Sequence, residues 1–377
     1  MSVHLRRRYP RLEINTRKLE ENARTEVALL AKSGVSVMGV NKVFCGLTET
    51  AAAIVRGGIE VIGDSRIDNL RRLAAIADLQ FQKCLLRSPG LSEIPEVVGH
   101  ADISLNSEVE VLRALSKEAR SQGRTHQVML MIDMGDLREG IWFEDRAAIS
   151  AAVKELSSLP ALSIYGLGTN FNCFGAIRPT LENGRRFVTI ARELEKEFGV
   201  RFPVLSGGNC TSYHLIEEGT WPEGINQLRI GGLHEFGIEY ISMHYVDGFH
   251  HSSMDANRAA SDLYTLRAEV IEVNDKPTVP VGEPGVDAFL ETRTFQDRGV
   301  RRRALLAFGR QDLPSANCWP VDPAITIFGQ TSDHTLVDVQ NCGVPIRVGD
   351  EVSFELDYTA LLHACNSPGI EKVCLGP

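Results

Sequence analysis

Residues 34–65 read GVSVMGVNKVFCGLTETAAAIVRGGIEVIGDS, and two short apolar runs in that stretch flank one helical segment. Val35, Val37, Met38 and Val40 form an internal strand, LTETAAAIVRGG a helix with its glycine stop, and IEVIGDS a second strand. One residue sits oddly. Lys42 stands where the first strand ends, and the plain reading is a loop lysine whose stem packs while its amine reaches water. The alternative is an amine held at the mouth of a parallel sheet, where desolvation makes it a nucleophile or base.

The unit recurs outward from there. RIDNLRRLAAIA follows the second strand, then FQKCLLRS with SEIPEVVGH, ADISLNS with EVEVLRALSKEARSQG, and HQVMLMIDM with DRAAISAAVKELSSL. ALSIYGLGTN, FPVLSGGN and INQLRIGG complete about eight strand-helix alternations. Such a count predicts the α/β class and a (β/α)8, TIM-like barrel over residues 11–250. No GxGxxG opens a helix after the first strand, which lowers the dinucleotide-binding reading. From about residue 262, runs such as DLYTLRAEVIEVND, RRRALLAFG and DEVSFELDY are strand-like, with no convincing long helix. They predict a C-terminal, mainly β domain, residues 251–377 together with 1–10, joined through GFHHSSMDANRAASD.

Composition narrows the class. The 377 residues carry a net charge of −9, which argues against nucleic acid or an anionic membrane as partner. MSVHLRRRYP has no apolar segment behind it to make a signal peptide, and no run is long enough to span a membrane. Eight cysteines are scattered without CxxC pairs, as expected of reduced thiols in a cytoplasmic enzyme acting on a small molecule.

In a barrel of this kind the chemistry lies at the C-terminal strand ends. Two adjacent ends are glycine-rich turns, LSGGNCTSYHL (205–215) and LRIGGLHEFG (228–237), and both suit an anion such as phosphate, although an ordinary capped turn would read the same way. Arg229 precedes the second turn inside what reads as strand interior, and a buried arginine needs a partner. A phosphate cradle, an inward lysine and an arginine at one mouth suggest pyridoxal 5′-phosphate anchored on Lys42.

At this point the chain resembles the alanine racemase-like, fold-type III pyridoxal phosphate enzymes, and most closely their ornithine racemase branch. YPRLEINTRKLEENA, GVNKVFCG, IGDSRIDNL, MIDMGDLREGIW, GLGTNFNCFG, LSGGNCTSY and LRIGG are similar to that branch in order. The resemblance implies a racemase of a free amino acid, ornithine or another basic one, and a head-to-tail homodimer with composite active sites. It implies Lys42 as the cofactor lysine, Arg229 as the partner of the pyridine nitrogen, and Asn170 near the ring. Ser206, Asn209, Thr211, Ser212, Gly231 and Gly232 fall in the phosphate loops, with Tyr358 as a further phosphate contact. Arg138 matches an arginine near the substrate carboxylate.

Two departures stand out. Gly46 occupies a position where alanine racemases carry a tyrosine, and the partner-subunit tyrosine that serves as their second base is replaced by Arg310, in LAFGRQDLP. Racemisation needs a proton-transfer group on each face of Cα. Candidates for the second are Arg310 with Asp312, the Ser332, Asp333 and His334 stretch, and the tail residues His363 and Cys365. Asp287, Glu283, Asp312 and Asp333 are carboxylates suited to a basic side chain. Two other readings stay open: a metal-assisted D-amino-acid dehydratase or aldolase, for which His363 and Cys365 on one strand would share a face, and a non-catalytic cofactor-binding homeostasis protein, against which the long β domain counts.

Overall fold

The computed structural model describes residues 8–253 and 261–376. Residues 1–7 of the basic start and 254–260 of the expected connection lie outside them. The chain divides into two compact units, Thr16–His251 and a second made of Met1–Asn15 with Ser252–Pro377.

The first unit is the expected barrel. Strands Ser36–Val40, Val61–Asp64, Gln82–Leu85, Ile103–Asn106, His126–Asp133, Leu162–Thr169, Val204–Gly207 and Gln227–Ile230 run in sequence order around it. The last strand pairs in parallel with the first, Arg229 opposite Met38, and closes the ring. Most of these strands are buried on both faces, because helices cover the outside and side chains fill the inside, so they read as unbroken apolar runs. Met38, Cys84, Ile103, Leu105, Met129 and Met131 fill the interior, and burial there pushes the Cys84 thiol up to about 12.

One strand is irregular. Val128 pairs with Ile164 but Met129 with Gly166, so Tyr165 is an extra residue in the Leu162–Thr169 strand. A bulge of this kind re-aims the side chain it carries. It also brings Gly166 hard against the neighbouring strand, where a Cβ would lie 2.1 Å from the Val204 carbonyl oxygen.

The second unit is mainly antiparallel. Tyr264–Pro277 pairs with Val300–Leu306 on one side and with Glu351–Leu356 on the other. The strand Arg11–Asn15, which the sequence reading assigned to the barrel, belongs here. It is antiparallel to Tyr264–Pro277 and parallel to Glu371–Leu375, so the barrel unit begins at Thr16. A second correction concerns the tail: YTALLHACN forms the helix Tyr358–Asn366, with the Asp357 carboxylate accepting from the Ala360 N–H at 2.9 Å. No helix among the described residues is long and apolar enough to cross a membrane.

Gly166→Ala should therefore weaken the barrel. The added methyl meets backbone rather than a movable side chain, and overpacking of this sort costs about 1–3 kcal/mol or more. Urea unfolding of the variant should give a lower midpoint with an unchanged slope.

Candidate active site

Lys42 opens the 3-10 turn Lys42–Phe44 directly after the first barrel strand. Asn41 before it is fully buried, whereas Lys42 is exposed. Its charge bears on Asp64, Cys210 and Glu235, from three neighbouring strand ends. Asp64 is buried. One of its oxygens accepts from the Arg66 N–H at 3.0 Å and from Asn69 Nδ2 at 2.9 Å, and burial raises its carboxyl. The turn also explains Gly46: its φ is +71°, and a Cβ there would lie 2.7 Å from Asn69 Cα. A tyrosine has no room at that position.

Arg229 projects into the barrel mouth and is 5 % exposed. It donates from one terminal nitrogen to Ser206 Oγ and from the other to the Thr169 carbonyl, both at 2.7 Å. Both partners are neutral, and burial lowers the guanidinium from its ordinary value. Thr169 Oγ1, at the same rim, is buried with no hydrogen-bond partner.

Asn170 and Asn209 meet across adjacent strand ends, Asn209 Nδ2 donating to Asn170 Oδ1 at 3.3 Å and to the Phe171 carbonyl at 2.6 Å. The other end of Asn209 caps its own turn, accepting from the N–H and the hydroxyl of Thr211 at 2.9 and 2.7 Å. Ser212 donates to the Gly207 carbonyl at 3.0 Å. The hydroxyls of the first glycine turn thus hold the loop itself. Asp136 was legible in the sequence only as part of a strand end. It is buried, and its carboxylate accepts from the N–H groups of Cys173, Phe174 and Gly175 and from Asn170 Nδ2. It shapes the loop beside Asn170. Arg138, nearby, is exposed and bound to Glu139.

The second glycine turn differs from an open cradle. A Cβ on Gly231 would lie 2.8 Å from the Glu235 carboxylate, and one on Gly232 would lie 2.2 Å from the Tyr240 ring. These glycines make room for side chains of their own chain. Glu235 is 3 % exposed, one of its oxygens has no partner, and burial pushes its carboxyl up to about 7. His234 beside it meets Glu26 at 2.6 Å, both fully buried. Burial alone would lower the His234 imidazole, but Glu26 outweighs it and holds the ring above its ordinary range. Sequence reasoning passed over Glu26, His234 and Glu235, although HE directly after an expected buried turn was the available signal.

The remaining candidates lie in the second unit. Arg310 grips Glu291 with both terminal nitrogens, at 3.0 and 2.7 Å, and lies 4.2 Å over the Phe289 ring. Asp312 is buried, accepting from the Gly309 N–H at 3.1 Å and from Ser367 Oγ at 2.7 Å, so it braces its own loop. Ser332 and Asp333 are exposed, with Asp333 3.0 Å from His334. Asp287 pairs with Arg293 at 2.8 Å, and Glu283 is exposed. Tyr358 begins the tail helix and is half-buried. His363 and Cys365 lie on that helix, not on a strand. Two residues apart on a helix they point in different directions, His363 outward and Cys365 inward, which removes the shared face the metal reading required.

The alanine racemase, N-terminal domain family matches residues 14–234. Ornithine racemase of Acetoanaerobium sticklandii is 38% identical over 367 residues, spanning 97% of this chain and 100% of that protein. Lysine racemase of Thermotoga maritima is 38% identical over 365 residues, spanning 97% and 98%. Among solved structures, an alanine racemase of Clostridium difficile 630 superposes with a TM-score of 0.72 at 14% identity, over 97% of this chain and 95% of that one. D-threonine aldolase of Filomicrobium marinum gives 0.66 at 13%, over 95% and 88%. The last two bear on the fold alone.

Glu235 makes a pH prediction. The unfolded chain ionises this carboxyl near its ordinary value of 4.5, whereas the fold keeps the proton up to about 7. The folded state holds more protons between those values, so this group's contribution to stability falls as pH rises through them. Glu235→Gln should match the parent near pH 4 and exceed it above pH 7, as read from denaturant midpoints.

Proposed function

This chain belongs to the alanine racemase family, and on that footing we propose that it racemises a free basic amino acid, ornithine or lysine, with pyridoxal 5′-phosphate as cofactor. Arg229 carries the reading. It is a buried cation bound only to neutral oxygens, on the strand that pairs with Ser36–Val40, the one that leads into Lys42. A basic substrate is supported by the two relatives, named for ornithine and lysine, at the same 38% identity over nearly the whole chain.

The rim residues fit the cofactor on their chemistry. Lys42 offers an amine for its aldehyde, Arg229 a cation for its ring nitrogen, and Asn170 an amide beside the ring. The phosphate falls to the turn of Ser206, Asn209, Thr211 and Ser212, and to Tyr358, while the Gly231 and Gly232 turn is occupied by Glu235 and Tyr240. The unpartnered, buried Thr169 Oγ1 at the same rim fits a polar ligand. When bound, the cofactor supplies an electron sink that makes the Cα hydrogen of an amino acid acidic.

The protein then has to manage two proton positions. Lys42 takes or returns the proton on one face of Cα. Arg229 keeps its proton and does not pass it to a ring nitrogen, which limits electron withdrawal and restrains side reactions such as transamination. Arg138 orients the substrate carboxylate, and Ser332 and Asp333 its far end. The second face is served by the β-rich unit of a partner subunit in a head-to-tail homodimer, where Arg310, Asp312 and Cys365 are the candidates. Arg310 is the poorest base of the three, since Glu291 fixes it as a cation.

Two measurements test this. Lys42→Ala should lose both racemisation and the near-visible absorbance of a lysine-bound cofactor, and a fully active variant would reject the mechanism. Deuterium wash-in at Cα across a panel of L- and D-amino acids should be fastest for ornithine or lysine, with inversion. Equal exchange across neutral side chains would reject the substrate assignment.

A further inference from the structure

The opposite end of the barrel holds a second concavity. It measures about 860 Å³ and is walled by the N-terminal ends of the strands and the loops that enter them, with Val61, Phe81 and Val204 as apolar surface. Its polar lining is Ser36, Glu60, Gln80, Gln82, Tyr165 and Gln227, and the last of these carries the feature that matters. Gln227 starts the strand whose third residue is Arg229, so the concavity and the candidate site lie at opposite ends of one strand. It is 2 % exposed, its Nε2 donates to the Tyr165 hydroxyl at 2.9 Å, and its Oε1 is buried with no partner. A buried amide oxygen without a donor is uncommon, because its desolvation goes uncompensated.

Tyr165 is there by construction. It is the extra residue of the bulge in its strand, held by the glycine contact at Gly166, and the bulge turns its ring toward the barrel floor. Glu60, exposed on the rim, bears on Tyr165 electrostatically. Among the described residues it is the only charged one lining the concavity. The lining thus offers an apolar wall, an acceptor without a donor in its depth, and a carboxylate at its edge.

We propose that this floor concavity is a binding site for a small protonated amine with an apolar body. Its N–H would go to Gln227 Oε1 and its charge to Glu60, while the apolar part covers Val61, Phe81 and Val204. A molecule that also carries a carboxylate, as any free amino acid does, meets Glu60 with the wrong sign, so the site is distinct in chemistry from the candidate active site. Tyr165 packs on the interior cluster that contains Met38, Met129 and Met131. Methionine repacks readily, so an occupant of the floor should be felt in that layer.

The test uses N,N-dimethylhexylamine, a tertiary amine that cannot condense with an aldehyde or replace a lysine on one. With the full chain carrying methyl-labelled methionine, titration should shift the signals of Met129 or Met131 saturably. Hexan-1-ol should bind more weakly and hexanoate not at all. Glu60→Gln and Gln227→Leu should each weaken the amine by about tenfold, the loss of one charge-assisted contact. Glu60→Gln changes an exposed side chain and keeps the test open if Gln227→Leu fails to fold. A titration without saturation, equal binding of hexanoate, or unchanged affinity in Glu60→Gln would each overturn the proposal.

Discussion

A guanidinium buried at a barrel mouth on neutral oxygens alone is the constraint around which this protein is organised. Removing such a charge from water costs several kcal/mol unless its donors are satisfied. Arg229 meets that demand through Ser206 Oγ and the Thr169 carbonyl, which lie on two other strands of the ring. Three strand ends are thereby held in one geometry by a cation that keeps its proton throughout the physiological range. Any ligand ring or anion that enters the mouth meets a fixed positive charge, and the shape of the mouth follows from how that charge is held.

Around this point the chain makes space by omission. Gly46, Gly231 and Gly232 stand where a single methyl would strike Asn69, Glu235 or Tyr240. Two of them were read from the sequence as room for a phosphate. The observed neighbours are a carboxylate and a phenol ring of the same chain, so the second turn is crowded and acid-bearing. The ornithine and lysine racemases at 38% identity align with this chain in sequence over nearly their full length, while the departure at Gly46 from alanine racemases has a local steric cause.

The barrel was legible because parallel strands buried on both faces leave continuous apolar runs, and each is followed by a helix of ordinary composition. The rim residues were legible for a related reason: Lys42 and Arg229 are charges in places where the pattern demands apolar side chains. Asp136 and Glu235 were not, since an acid in a loop or a short helix carries no periodic signature; Asp136 matters through the N–H groups of Cys173, Phe174 and Gly175, far along the chain, and Glu235 through its burial beside Gly231. The tail failed for the opposite reason. YTALLHACN is short and mostly apolar, a composition that strand and helix share, and the Asp357 cap that decides between them was not weighed. Arg11–Asn15 was misassigned because its partners, Tyr264–Pro277 and Glu371–Leu375, lie far along the chain.

That last pairing has a consequence for how the molecule is made. Arg11–Asn15 precedes the barrel in synthesis, yet its parallel neighbour Glu371–Leu375 follows every barrel strand. The barrel can close as soon as residue 230 has emerged, whereas the sheet that flanks it in sequence must wait with one strand unmatched on each side of the gap. A chain paused between the barrel and Glu371–Leu375 therefore carries one edge of Arg11–Asn15 unpaired, open to any strand that can match it.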